Sequence, residues 1–243
     1  MTQILPADKG RADYLRVAES VSSMLGIDIK QFVSQYKFYD DSLLLLKPLS
    51  PSQSQYNFNP VRGLDQDLPS QFLMDKSDLF AVTGVGVIFT RATYASANQS
   101  LSGFGNYEEY TFPFSTVFTG SNEAVGLQNV VRGSLALAVN ADQQWNIPVS
   151  RMVYKNQFIN AQVQTISYGG SNEEQGILPL QSVVIMDGEN QNTLTLNLPP
   201  GGTLTNIDGN TNATTRNIVG VKLVGFRIRN VANGGFTAGN CRV

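Results

Sequence analysis

The sequence predicts a mainly β protein: an antiparallel β-sandwich of about eight strands that carries an N-terminal helical arm. Three observations carry this reading. Asparagine is absent from residues 1–56 and occurs 21 times in residues 57–243, so the chain falls into two parts with different local rules. The first part repeats apolar residues every three or four positions, the mark of a helix face. The second consists of short alternating runs broken by Gly, Asn and Pro, the mark of a sandwich or barrel rather than of alternating strands and helices.

Taken in order, Tyr14, Val17, Ala18, Val21, Met24 and Leu25 share helical spacing, with Asp8 placed to cap the start and Gly26 to end it. That predicts an amphipathic helix over about residues 9–25. Asp28 is placed to cap a second helix, with Ile29, Phe32, Val33 and Tyr36 on one face. Pro48, Pro51, Pro60 and Pro69 bar a helix or a central strand from the stretch they punctuate, which reads as an extended connector. From about Leu79 onward the period is two. Leu135, Leu137 and Val139 alternate with Ser134, Ala136 and Ala138; Leu194, Leu196 and Leu198 alternate with Thr193, Thr195 and Asn197; Val224, Phe226 and Ile228 alternate with Gly225, Arg227 and Arg229. Asp187-Gly188-Glu189-Asn190 reads as a hairpin connection. Strand runs fall near 80–94, 110–118, 130–140, 146–154, 159–168, 178–186, 193–198 and 217–229. Eight strands in about 150 residues is the size of a jelly-roll β-sandwich. The expected division is 1–56 as a helical assembly arm, 57–78 as a proline-rich connector and 79–243 as the β-domain, with Leu135, Leu137, Leu194, Leu196, Val221 and Leu223 in its core.

Composition limits the chemistry. The 243 residues include 17 Lys+Arg, 19 Asp+Glu and no histidine. Without histidine the chain lacks the commonest general base near neutral pH, and with it the Ser-His-Asp, Cys-His and His-metal arrangements. A net charge of −2 argues against a protein whose main task is neutralising nucleic acid. The single cysteine, Cys241, forms neither an internal disulfide nor a metal cluster by itself. Residues 1–8 show no secretory pattern, and the run Leu43–Leu46 is far shorter than a membrane helix, so the reading is a protein made and kept soluble in the cytoplasm.

The remaining motifs are weighed against plainer roles. The acidic pairs Asp40-Asp41, Glu108-Glu109 and Glu173-Glu174 hold the residue type a glycosidase needs, yet neighbours on a strand point to opposite faces, so solvated loop charges explain them. The turn sequences Asp187–Asn190 and Asp208–Asn210 do not match a calcium loop. Gly84-Val85-Gly86 is read as a strand kink rather than a phosphate loop. Tyr107, Tyr110, Phe112, Phe114 and Phe118 are read as core filling, and Arg227 and Arg229 as an ordinary solvated face. No catalytic, cofactor or metal site is expected.

The layout of Arg11–Leu25 as a helix, Pro48–Pro69 as an arm and Leu79–Arg229 as strands resembles that of the jelly-roll capsid proteins of tailless bacteriophages. The resemblance implies a non-enzymatic shell subunit of the virion that assembles with copies of itself, as trimers or a larger lattice, and with other virion proteins. It implies no cofactor. The arm carries six basic and six acidic residues up to Tyr56, where genome-binding capsids carry a basic arm, so no direct nucleic-acid role is expected. The arm's apolar face, Tyr14, Val17, Val21 and Leu25, is the candidate assembly interface. The alternative is a receptor- or glycan-binding sandwich such as a fibre or spike module; a sandwich glycosidase built from scattered carboxylates is a third.

Overall fold

The computed structural model describes residues 6–51, 53–62, 73–93, 110–111, 113, 118, 123–153, 176–199 and 215–230. The chain opens with helix α1 (Pro6–Leu25), which starts slightly earlier than its sequence signal and takes a proline into its first turn, where the missing N–H costs nothing. Gly26, at φ +66°, ends it: Gly26 N donates to Ser23 O and Ile27 N to Ser22 O, the paired bonds of a left-handed helix stop. Asp28 then caps α2 (Ile29–Gln35), its carboxylate accepting from Lys30 N at 2.8 Å.

Strand β1 (Tyr36–Pro48) follows without a loop, and after it come β2 (Gln55–Phe58), β3 (Leu79–Thr93), helix α3 (Glu123–Val131), β4 (Ser134–Val139), β5 (Asp142–Pro148), a 3-10 turn, β6 (Ile177–Asp187), β7 (Asn192–Asn197) and β8 (Thr215–Asn230). Each strand pairs with the one equally far from the other end of the order: β1 with β8, β2 with β7, β3 with β6, β4 with β5, all antiparallel. The chain is one long hairpin, rolled so that β8 also meets β3 and β7 also meets β4. Two four-stranded sheets result, β1-β8-β3-β6 and β2-β7-β4-β5.

Between the sheets lies a single core. By register, Leu43 and Leu45 of β1 sit beside Leu223 and Val221 of β8 and Val85 and Val87 of β3, and these cluster with Tyr56, Phe58, Leu135, Leu137, Leu194 and Leu196. The six core residues read from the alternation are all fully buried. Two close approaches shape the first sheet. A bulge at Thr83 shifts the register of β3, and opposite it Gly225 lies so near that a Cβ would stand 1.9 Å from Ala81 O. Gly84 and Gly86 leave room for Ile177, whose side chain would lie 2.8 and 2.7 Å from a Cβ at each.

The division into arm, connector and β-domain is corrected. Residues 36–48 and 55–58, assigned by sequence to a helical arm and a connector, are the strands β1 and β2, so the sandwich begins at Tyr36 and not near residue 79. Of the other sequence-read strands, 110–118 and 159–168 fall largely or wholly outside the described residues, with only the bridge of Tyr110 to Phe89 in view. Their two places in the count of eight are taken by β1 and β2. The run read at 146–154 is strand only to Pro148, as the end of β5, which a two-residue turn, Asn140-Ala141, with positive φ at both positions joins to β4.

Candidate functional site

The residues marked as an assembly interface lie on α1, and the structure docks that helix on its own sheet. Val17, Ala18 and Val21 are buried to within 1% against Ala81, Phe226 and Ile228, on the side of the first sheet away from the sandwich core. Tyr14 is partly buried, its ring 4.9 Å from Phe38 and 6.3 Å from Phe226. Phe32 of α2 closes the same patch, edge-on to Phe38 at 5.1 Å. The expectation that this face packs mainly on another chain is therefore corrected for Val17 and Val21: six apolar residues of β3, β6 and β8, namely Leu79, Ala81, Val183, Ile185, Phe226 and Ile228, would be bared if α1 left. Leu25 faces outward at 37% exposure, together with Leu15, Met24 and Val33. A polar tie completes the docking. Arg16 Nη1 donates to Leu180 O at 3.0 Å, a carbonyl of β6 in the stretch where β6 loses register with β3.

Both ends of the inner face of β8 are closed by ions. At one end Asp78, 1% exposed, receives Arg227 Nη1 at 2.8 Å and Arg229 Nε at 2.7 Å. Arg227 Nε also reaches Asp41 at 2.6 Å on the neighbouring β1, and Asp75 joins Arg229 and Arg62 at 3.4 and 3.2 Å. Three carboxylates meet three guanidinium groups, so the cluster is neutral. The guanidinium of Arg229 is held above its ordinary value, chiefly by its hydrogen bond to Asp78 and against the opposing effect of burial. The reading of Arg227 and Arg229 as a solvated face is corrected: they clamp β8 to the segment that leads into β3. At the other end Glu123, fully buried in the first turn of α3, pairs with Arg91 Nη2 at 3.3 Å and accepts a short hydrogen bond from Asn217 Nδ2. Arg91 and Asn217 are register partners on β3 and β8.

Close to the first cluster, a surface cleft of about 400 Å³ is lined by Asn59, Lys76, Gly188, Glu189, Asn190 and Gln191. Its floor is the β6–β7 turn that the sequence marked as a hairpin. Of the remaining sequence candidates, Phe118 is buried in the core and its ring lies 5.8 Å from that of Tyr110, as core filling requires. Tyr107, Phe112, Phe114, Glu108-Glu109, Glu173-Glu174, Asp208–Asn210 and Cys241 lie outside the described residues. Among the described residues no group of three or more Asp, Glu, His or Cys is placed to hold a metal, and no helix is long and apolar enough to cross a membrane. The ionic clusters were missed from sequence because their members lie far apart in the chain; the inward charge of Asp41, beside the apolar run Leu43–Leu46, was the one local signal. Comparison of the chain with protein-family models, curated proteins and solved structures finds no match.

Proposed function

We propose that this chain is a jelly-roll shell subunit, a capsid structural protein of the bacteriophage type that assembles with copies of itself into a virion shell. The observation that carries the reading is the strand pairing, first with eighth, second with seventh, third with sixth and fourth with fifth, which is the order expected of a jelly roll and supports that reading; capsid domains share the jelly roll with lectins. Fold alone does not assign function. Two further features support a packing role. Charges inside the sandwich are neutralised within the chain, and only 15% of its residues are charged, which suits broad contacts. The helix layer thickens one face, and α1 presents Leu15, Met24 and Leu25 outward from it.

Negative-stain imaging of the purified full chain across protein concentration and ionic strength tests the proposal. Closed shells or regular lattices are expected. A protein that stays monomeric or forms only small discrete oligomers under all these conditions would overturn it. The glycan-binding alternative has the surface cleft at Gly188 in its favour, and the two readings are compatible in one protein.

A further inference from the structure

We propose that the cleft between Asn59, Lys76 and the Gly188–Gln191 turn is a carbohydrate site that takes a neutral, hydroxyl-rich sugar unit. The walls are fixed before any ligand arrives. Gly188 N donates to Asp78 O at 2.9 Å, and a Cβ on Gly188 would lie 2.3 Å from Asp75 O and 2.7 Å from Lys76 O, so the turn sits flush on the Asp75–Asp78 segment. Asp187 Oδ1 accepts from Glu189 N at 2.9 Å, and buried Asn192 holds Asp187 O and Asn190 O at 2.6 and 3.0 Å. Asn140 N ties Gln191 O from the neighbouring hairpin at 2.8 Å. The opposite wall is braced through Asp78 and Asp75 by Arg227, Arg229 and Arg62. Such bracing lowers the ordering cost that binding would otherwise incur.

The lining selects the ligand class. Asn190 and Gln191 carry a donor and an acceptor on one short fork, which matches neighbouring hydroxyl groups, while Asn59, whose Oδ1 accepts from Val61 N at 2.9 Å, offers its amide N–H groups. Lys76 and Glu189 add one positive and one negative charge that cancel, so no net field favours an anion or a cation. The side chains of Lys76, Glu189 and Gln191 make no hydrogen bond or ion pair with the described residues. The lining residues are polar by type but expose more carbon than nitrogen or oxygen, the mixed character of a sugar's own surface, and 400 Å³ accommodates one or two sugar rings. With no aromatic ring to stack on, the expected affinity of one site is weak, about millimolar. Many copies on one shell would raise the effective affinity by multivalency, a step that rests on the proposed assembly, whereas binding at the single site does not.

Saturation-transfer difference NMR on the full chain, a method that reads the sugar's own protons and works on monomers and particles alike, tests the site. The probes are methyl α-mannoside, methyl β-galactoside and N-acetylglucosamine, each at about 1 mM, near the expected dissociation constant. At least one probe is expected to give a transfer signal that sulfate does not displace. Lys76→Ala and Gln191→Ala, changes to exposed side chains outside the core, should each weaken binding about tenfold, the loss of one to two hydrogen bonds, which at a probe concentration near the dissociation constant cuts the signal about fivefold. The control Ser150→Ala, on the exposed 3-10 turn, should leave it unchanged. No signal from any of the three probes overturns the proposal, as does displacement by sulfate or a signal that survives in both cleft variants. None of these outcomes bears on shell assembly, which is read by imaging.

Discussion

Asp78 receives two guanidinium groups while its own side chain is out of reach of water, so it neutralises charge that β8 carries into the end of the sandwich. Replacing it strands Arg227 and Arg229 in a partly dry site. Asp78→Ala is expected to cost about 3 kcal/mol in urea unfolding, the low end for breaking a buried pair, since both arginines keep some contact with water. Arg229→Ala should cost less than half as much. The raised value of Arg229 means its contribution is complete below the ordinary guanidinium range and fades only as pH climbs above it, so no loss on its account is expected near neutrality. A second residue is strained rather than paired. Ala141 holds φ +65° in the β4–β5 turn, where its Cβ has no good place. Ala141→Gly is expected to raise stability by about 0.5–1 kcal/mol, read as a higher urea midpoint with an unchanged slope. At this scale the alternation around Arg227 and Arg229 was legible in the sequence, but its direction was not. Their carboxylate partners Asp75 and Asp78 lie some 150 residues earlier, and no local pattern encodes that meeting.

Elements were legible in proportion to how one-sided their burial is. The strands β4 and β7 alternate cleanly because one face is core and the other is not, and β6 and β8 were read close to their true positions. Strand β1 escaped because it obeys neither period. Leu43 to Leu46 are buried on both faces, while Asp41 turns inward to meet Arg227, so the run reads as a charge cluster followed by an apolar block. Strand β2 is four residues long between prolines, which only an edge strand tolerates, and it is indeed the edge of its sheet. The helical spacing over residues 9–25 falls within α1 (Pro6–Leu25), but nothing in that segment's own sequence says whose sheet it covers. Removing residues 1–26 separates home docking from an arm role cleanly, because the cut leaves β1 and β2 intact. The truncated chain is expected to bind a hydrophobic dye at the bared patch around Ala81, Phe226 and Ile228 and to unfold at a lower urea midpoint. An unchanged midpoint without dye binding would show that the helix adds nothing to its own domain.

For the whole molecule, the rolled-hairpin order makes the last strand indispensable. Strand β8 lies between β1 and β3, pairing with β1 from Tyr36↔Asn230 to Pro48↔Ile218 and with β3 along nearly its whole length. It supplies Val219, Val221 and Leu223 to the sandwich core, Phe226 and Ile228 to the patch under α1, and the arginines that close one end. Nearly every contact of the first sheet is thus non-local, and its loop-closure entropy is not offset until the C-terminal segment arrives, which places folding among the slow, millisecond-to-second topologies. The second sheet has a local nucleus, since β4 and β5 form a tight hairpin, but its inner face has no cover without the first. A chain ending at residue 214 is therefore expected to remain without cooperative structure, showing a broad urea transition and strong dye binding, whereas the full chain unfolds in one step. A peptide of residues 215–230 added in trans should restore a cooperative transition by inserting between β1 and β3, as strand addition allows. A truncated chain that unfolds with the full chain's midpoint and slope would mean that β1 and β3 find another way to close the sheet, and that β8 is not its organising strand.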